Sequence, residues 1–161
     1  MSAAPQLHAG AAHPISIGIG ELKWSCDPND TYTTVLGSCV GVALWDPIAR
    51  VGGLSHFLLA RAPVGESDDT RYGSIALPQL KERLCAAGAQ DDRLRAVVAG
   101  GADLLSYMRS IGTENTEFVR RWLQREEIFV EHLDCGGQLA RRVLFEPTNG
   151  AFEVTVVRDG D

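Results

Sequence analysis

Short apolar runs separated by turn-forming residues dominate the chain, and this pattern is typical of β-strands. Val, Thr, Leu, Ile and aromatic residues, which strands favour, fill most of these runs. The predicted strands, seven or eight in number, are residues 15–19, 31–36, 39–45, 51–59, 94–99, 127–133, 139–146 and 151–157. Between the last two, Thr148-Asn149-Gly150 predicts a hairpin, because Asn and Gly accept the positive φ angles of tight turns.

Helical spacing is confined to three segments that alternate with the strands. Ser74 is predicted to cap a helix that carries Pro78 in its first turn. A short helix is predicted over residues 102–110, and a third helix is expected to be capped by Thr113 or Asn115. This mixed order of strands and helices predicts an α/β or α+β fold, with mixed sheets and helices packed outside them.

Length, composition and charge fit one folded domain. The chain has 161 residues, of which 45% are hydrophobic and 22% are charged. Its formal net charge of −6 argues against nucleic acid and anionic membranes as main partners. Residues 1–14 lack the basic start and apolar core of a signal peptide, so they are predicted to form a flexible leader to a domain over residues 15–161. Without a run of about 18 apolar residues, no membrane insertion is expected, and a cytoplasmic location is predicted.

Four cysteines, Cys26, Cys39, Cys85 and Cys135, are widely spaced and form no C-x-x-C pair. This spacing argues against a zinc site, and a chain without a signal peptide is not expected to use a disulfide framework. Cys85 lies among Leu and Ala in a predicted helix, whereas Cys26 and Cys135 fall in predicted loops. Cys39 lies near a histidine in GSCVGVALWDPIARVGGLSHF, residues 37–57.

The turn in this segment predicts which residues face each other. Asp46 and Pro47 suit the first two positions of a type I turn, and Pro47 excludes the positive φ of a two-residue hairpin loop. A four-residue loop over 46–49 pairs residues whose numbers sum to 95, and so places Cys39 opposite His56. Cross-strand Cβ atoms lie about 4.5–5.5 Å apart. The small residues of the same face, which are expected to leave space beside the pair, are Gly41, Ala43 and Gly52.

A thiol beside an imidazole is the arrangement of a cysteine nucleophile. An imidazolium can lower a cysteine pKa from near 8.5 to about 3.5–7.5, so Cys39 would attack an acyl carbon and His56 would protonate the leaving group. Thr33, six residues before Cys39, is expected to orient the His56 ring, whereas Thr34 is predicted to point to the opposite side. The Cys39 N–H, freed by the break in the apolar run, would hold an oxyanion, and the Ser38 hydroxyl would assist.

A structural interpretation of the same residues stays open. A lone cysteine in a strand-like run is more often a small core residue, and a lone strand histidine is more often structural than catalytic. Gly100-Gly101 would either line the site by a close backbone approach or form only a tight turn.

The pattern T-x-x-x-GSC, a D-P turn and GG-x-x-H, all within residues 33–56, resembles the chemoreceptor glutamine deamidase family, CheD. The resemblance extends in order over most of residues 15–157, and the ordered set is more specific than any one motif. The further matching segments are Arg71-Tyr72-Gly73-Ser74-Ile75-Ala76, Gly100-Gly101-Ala102, Ile111-Gly112-x-x-Asn115, and Gly136-Gly137 with Arg141-Arg142-Val143.

This resemblance implies a protein-glutamine glutaminase, an amidohydrolase that converts glutamine side chains of methyl-accepting chemotaxis receptors to glutamate and releases ammonia. Some members are also credited with hydrolysing receptor methyl esters. The implied catalytic residues are Cys39, His56 and Thr33, with no metal and no cofactor. The substrate-binding candidates are Gly37, Ser38, Tyr72, Gly100 and Gly101.

The resemblance also implies partners and a fold. The partners are the cytoplasmic domains of the receptors and the chemotaxis phosphatase CheC. The fold is a mixed β-sheet sandwich with flanking helices, like the deamidating domain of cytotoxic necrotising toxins. Two other functions stay open: a regulatory module that only binds the phosphatase or receptor, and a general cysteine peptidase.

Overall fold

The structure is a computed structural model that describes residues 5–7, 13–65, 67–104 and 110–158. Its helices are α1 (Gly73–Ala86) and α2 (Ile111–Arg125), with a 3₁₀ turn at Asp91–Arg93. Neither α-helix is long and apolar enough to cross a membrane. The strands are β1 (Ile15–Ser16), β2 (Leu22–Ser25), β3 (Tyr32–Leu36), β4 (Val40–Asp46), β5 (Val51–Phe57), β6 (Arg95–Gly100), β7 (Phe129–Cys135), β8 (Arg141–Phe145) and β9 (Phe152–Val156).

The strands form two mixed sheets. The four-stranded sheet has the order β1-β3-β8-β9, and the five-stranded sheet has the order β2-β5-β4-β6-β7. Each sheet contains one parallel pair, β1 with β3 and β6 with β7, and its other neighbours are antiparallel. A parallel pair needs a long crossover connection, and α2 provides it between β6 and β7.

Alternating side chains give the five-stranded sheet two buried faces. Even-numbered residues of β4 and β6, such as Val42 and Val98, pack with the apolar faces of α1 and α2. Odd-numbered residues, such as Trp45 and Val97, pack against the four-stranded sheet, which contributes Phe145. The molecule therefore has three layers, sheet on sheet with both helices on one side, which confirms the predicted mixed sandwich with flanking helices.

Some predicted elements differ from the structure. Strand β2 was not predicted from the sequence, because Leu22–Ser25 is short and contains Lys23. It lies at a sheet edge, and its extended conformation depends on pairing with β5. The predicted cap at Ser74 is wrong: α1 begins at Gly73, and the Ser74 hydroxyl accepts from Ala62 N instead. Pro78 consequently lies beyond the first turn of α1.

The beginning of α2 also differs from the prediction. The helix starts at Ile111 and is capped by Ser110, whose hydroxyl accepts from Thr113 N at 2.7 Å. Thr113 and Asn115, the predicted caps, therefore lie inside the helix. Of the short helix predicted over 102–110, residues 105–109 lie outside the described residues, and residues 102–104 are not helical.

The β4–β5 hairpin has a different register from the predicted one. Gly41, not Cys39, pairs with His56, so paired residue numbers sum to 97. The turn closes because Arg50 adopts a φ of 58° and its N–H donates to Asp46 O at 2.9 Å. A non-glycine residue in this left-handed region is uncommon, and turn rules do not anticipate it. The predicted pairing is therefore wrong by two residues, but an even shift keeps Cys39 and His56 on the same face.

Candidate active site

His56 lies on β5 in the space between the two sheets and is 3% exposed. Its Nδ1 lies 2.7 Å from Thr34 Oγ1 on β3 and 3.3 Å from the carbonyl oxygen of Ile17. The Thr34 hydroxyl donates to that same carbonyl at 2.7 Å. The other ring nitrogen, Nε2, is buried and has no hydrogen-bond partner within the described ranges. The ring is thus anchored on its Nδ1 side and unpaired at Nε2.

These contacts select one tautomer of the ring. The Ile17 carbonyl can only accept, and the shorter contact makes the Thr34 hydroxyl its donor. The Thr34 oxygen then accepts from His56 Nδ1–H, which leaves the lone pair on Nε2. Burial lowers the pKa of His56 below its ordinary 6.5, against the raising effects of the Ile17 carbonyl and the Glu21 charge. A neutral ring with its lone pair on Nε2 can accept a proton.

Thr34, rather than Thr33, supplies the hydroxyl at this ring. Thr34 is 4% exposed and faces the other sheet, whereas Thr33, its neighbour on β3, is only half-buried. The prediction that Thr33 orients His56 is therefore wrong. Counting back from Cys39 assumes one continuous strand, but the break at residues 37–38 carries the chain from one sheet to the other, so the alternation is not preserved.

Cys39 immediately precedes β4 and is 7% exposed. It packs with Ala43 and Val97 in the apolar cluster between the sheets. Because Gly41 pairs with His56, Cys39 is the diagonal neighbour of the histidine on the same face. Diagonal Cβ atoms in an antiparallel pair lie about 7–8 Å apart or somewhat less, which large side chains can span. The thiol and the imidazole therefore enter one buried space.

Burial, rather than ion pairing, sets the protonation of the resting pair. Burial raises the pKa of Cys39 above its ordinary 9.0, and its own backbone N–H opposes this only in part. The pKa of His56 moves the other way, so both side chains are neutral at neutral pH. The predicted resting thiolate–imidazolium pair is therefore not favoured.

The backbone around Cys39 is held by three hydrogen bonds, two from the loop after β6 and one from α2. The carbonyls of residues 37–39 each accept one bond. In chain order, the donors are Ala102 N at 2.9 Å, Asn115 Nδ2 at 3.0 Å and Gly101 N at 2.9 Å. Sequence reasoning identified Asn115 only as a helix cap and a member of the Ile111-Gly112-x-x-Asn115 motif, because a contact between residues so far apart in the chain leaves no local signal.

Gly100 and Gly101 approach this backbone closely. Gly100 has a φ of 105°, and a Cβ built there would lie 2.3 Å from the Cys39 carbonyl oxygen. Gly101 has a φ of 63°, and a Cβ there would lie 2.1 Å from Thr116 Oγ1. Of the two interpretations of this glycine pair, close backbone approach is the observed one. Substrate binding by either glycine stays a prediction.

The remaining predicted binding residues lie in that loop and at the start of α1. Ser38 precedes Cys39, and a Cβ at Gly37 would lie 3.0 Å from the Leu104 side chain. Tyr72 lies at the N-terminus of α1 and forms a backbone bridge with Leu59, just beyond β5. Substrate contacts by Gly37, Ser38 and Tyr72 stay predictions.

The space that small residues were expected to leave beside the pair is partly filled. A Cβ at Gly41 would lie 2.8 Å from the Leu36 side chain. A Cβ at Gly52 would lie 2.2 Å from the carbonyl oxygen of Pro147 and 2.8 Å from Trp45 Cβ. These glycines therefore allow the two sheets to pack closely.

The chain is similar in sequence to proteins of one known family. Residues 59–156 match the CheD family profile, described as CheD chemotactic sensory transduction. A Zymomonas mobilis protein named probable chemoreceptor glutamine deamidase CheD is 44% identical over 140 residues, covering 84% of this chain and 76% of the relative. A Rhizobium leguminosarum protein of the same name is 40% identical, covering 88% of this chain and 78% of the relative.

The chain belongs to the CheD family. The Zymomonas alignment omits about 16% of the chain at its ends, or roughly 26 residues, so it includes Cys39 and His56 wherever it begins. Among solved structures, Bacillus licheniformis hypothetical protein YfiH is similar over 77% of this chain and 48% of its own, with 18% identity and a TM-score of 0.39.

In this CheD-family chain, an open groove of about 620 Å³ runs along α2 and is lined by Asn115, the residue that donates to the Ser38 carbonyl. Asn115 lines it on the helix side, and Leu59 and Arg61 line it opposite. The Arg61 guanidinium lies 5.2 Å from the centre of the Phe118 ring, so the groove offers both charged and aromatic surface.

The other three cysteines of this family member are free thiols. Cys26 is exposed, and Cys85 donates to Asp91 at 3.2 Å. Burial raises the pKa of both Cys85 and Cys135 to about 11. Within the described ranges, no group of three or more His, Cys, Asp or Glu side chains is arranged to hold a metal ion.

Proposed function

We propose that this chain is a protein-glutamine glutaminase that deamidates glutamine side chains of methyl-accepting chemotaxis receptors and uses Cys39 as its nucleophile. The relatives named chemoreceptor glutamine deamidase support the reaction and the substrate class. The observation that carries the chemistry is the unpaired Nε2 of neutral His56, buried on the same face as Cys39. A buried nitrogen without a hydrogen-bond partner costs free energy, and a catalytic role is one explanation for such a group.

The first half of the reaction forms a thioester. Cys39 Sγ attacks the carboxamide carbon of the receptor glutamine as His56 Nε2 accepts the thiol proton. The resulting oxyanion accepts a hydrogen bond from the Cys39 N–H. The C–N bond then breaks, and the imidazolium gives its proton to the departing nitrogen, which leaves as ammonia. Thr34 keeps Nδ1 protonated throughout, because its own proton is committed to the Ile17 carbonyl.

The second half hydrolyses the thioester with one water. His56 Nε2 accepts a proton from the water as its oxygen attacks the acyl carbon. The C–S bond breaks, the imidazolium returns its proton to Cys39 Sγ, and a glutamate side chain is released. No step requires a metal or cofactor. Receptor methyl esters are a second substrate class for the same steps, with methanol as the leaving group in place of ammonia.

The proposed setting follows from the substrate. Methylation sites lie in the cytoplasmic domains of these receptors, so the enzyme acts in the cytoplasm, and CheC is its second partner. The net charge of −6 fits a protein substrate better than nucleic acid.

The test is conversion of glutamine to glutamate in receptor cytoplasmic fragments, read by peptide mass analysis. Cys39→Ala should lower conversion at least about 10³-fold, as loss of a nucleophile does. Cys26→Ala, at an exposed cysteine, is the matched control and should retain wild-type activity. Full conversion by Cys39→Ala would refute the proposal. A wild type that binds the fragment without converting it would indicate a regulatory module, and cleavage of the fragment backbone would indicate a peptidase.

A further inference from the structure

One buried side chain, the amide of Asn115, connects the backbone at Cys39 with the end of β5. Asn115 lies in α2 and is 1% exposed. Its Nδ2 donates to two carbonyl oxygens, those of Ser38 and Leu58, each at 3.0 Å. Both hydrogens of the amide nitrogen are thereby used, and both acceptors are backbone groups of the catalytic hairpin.

These two carbonyls lie beyond the paired end of the hairpin. The β4–β5 ladder ends with Val40 opposite Phe57, so neither Ser38 nor Leu58 has a cross-strand partner there. Strand ends that leave a ladder lose the hydrogen bonds that fix their orientation. Asn115 supplies these bonds from a neighbouring helix, directly beside the two reactive side chains.

The geometry of the peptide bond gives this contact a direction. The Ser38 carbonyl and the Cys39 N–H belong to the same trans peptide, so they point in opposite directions. Holding the carbonyl toward α2 therefore turns the Cys39 N–H away from that helix.

We propose that Asn115 is a positioning residue: by holding the Ser38 carbonyl, it aims the Cys39 N–H at the oxyanion that forms when Cys39 attacks an acyl carbon. The proposal rests on the cysteine chemistry of the proposed function but not on glutamine as the substrate. Loss of an oxyanion donor costs about 10²–10³-fold in kcat. Because a misaimed N–H retains part of its effect, loss of Asn115 should cost about 10–100-fold.

The test compares Asn115→Ala with Asn149→Ala. Asn149 is the matched control because its side chain also makes two hydrogen bonds, to Glu146 Oε1 and from Ala151 N, each at 2.8 Å, in the β8–β9 turn. Three quantities are measured: hydrolysis of p-nitrophenyl acetate, whose reaction passes through an oxyanion; alkylation of Cys39 by iodoacetamide at pH 9, which does not; and the melting temperature.

For Asn115→Ala we expect kcat for the ester to fall about 10–100-fold, with KM and the Cys39 alkylation rate within about threefold of wild type. Asn149→Ala should lose thermal stability and keep kcat. The proposal is overturned if Asn115→Ala keeps its kcat, if ester hydrolysis and alkylation fall together, or if the wild type shows no ester hydrolysis that depends on Cys39.

A second variant and a second substrate complete the test of Asn115. If Asn115→Ala shows no thermal transition, Asn115→Leu, which keeps a similar side-chain volume and removes both donors, is measured in its place with the same criteria. Receptor fragments are assayed in parallel. A wild type that hydrolyses the ester through Cys39 but leaves receptor glutamines unchanged would refute the proposed function, while the comparison between Asn115→Ala and wild type would still decide the role of Asn115.

Discussion

At the scale of single residues, burial sets the chemistry of the site. The placement of Cys39 and His56 on one face of a hairpin was predictable from the sequence, because the GSC break and the histidine of the next run lie on either side of a recognisable turn. Their protonation was not, because whether ion pairing or burial prevails depends on the side chains that other strands pack around them. The choice between Thr33 and Thr34 was equally inaccessible, since it depends on how residues 37–38 carry the chain between the sheets.

The hydroxyl at the His56 ring gives the first prediction. Thr34→Val removes the acceptor of Nδ1–H and frees the ring to change tautomer, so kcat for deamidation should fall about 10- to 100-fold. Thr33→Val, one position away on the outer face of β3, is the control and should leave kcat unchanged. The account of the ring is contradicted if Thr33→Val is the slower enzyme.

The neutral resting pair gives the second prediction, about thiol reactivity. Because burial raises the pKa of Cys39 above 9.0, exposed Cys26 should react with iodoacetamide before Cys39 at pH 7. The Cys39 rate should continue to rise above pH 9. Peptide mapping of the alkylated sites across pH provides the measurement, and preferential loss of Cys39 at pH 7 would restore the ion-pair interpretation.

At the scale of elements, the β4–β5 hairpin shows how much of a structure turn rules can predict. They predicted a connection of the right length between β4 and β5 and the right face for both reactive residues. They missed the register of the β4–β5 pairing because Arg50 adopts a left-handed conformation, which is uncommon for arginine and cannot be predicted from the residue type. The end of β6 was similarly uncertain, since a glycine pair is compatible with a free turn or with a close approach.

A comparison of two glycines gives the third prediction. Gly100 and Gly88 have similar positive φ values, 105° and 113°, so alanine is strained at both. A Cβ at Gly100 would meet the Cys39 carbonyl at 2.3 Å, whereas a Cβ at Gly88 meets nothing within 4 Å. Gly100→Ala should therefore lose deamidase activity out of proportion to its melting temperature, while Gly88→Ala loses only stability. Equal activity of the two variants would show that the approach to Cys39 is not needed.

At the scale of the whole molecule, the mixed order of elements predicted mixed sheets with helices packed outside them, and the family resemblance implied that the sheets form a sandwich. Edge strand β2 and the contact from Asn115 to the hairpin were not predictable, because both depend on pairing between distant segments. The wider fold also links the site to stability, since His56 is buried in the cluster that joins the two sheets.

That link gives the fourth prediction. Burial lowers the pKa of folded His56 below 6.5, so the unfolded chain binds its proton first as the pH falls. The free energy of unfolding should therefore decrease as the pH falls below 6.5 and level off below the folded pKa of the histidine. Urea unfolding between pH 7.5 and 5 measures this slope. His56→Asn should flatten it, and an unchanged slope in that variant would assign the effect to other groups.

The most direct test of the central claim is detection of the covalent intermediate. Wild-type protein is mixed with a receptor fragment, quenched in acid within the turnover time, digested and analysed by mass spectrometry. The account predicts a receptor peptide, less one ammonia, joined to the peptide that contains Cys39, and no such adduct with Cys39→Ala. Turnover of glutamine to glutamate without any adduct at Cys39, together with full activity of Cys39→Ala, would contradict it.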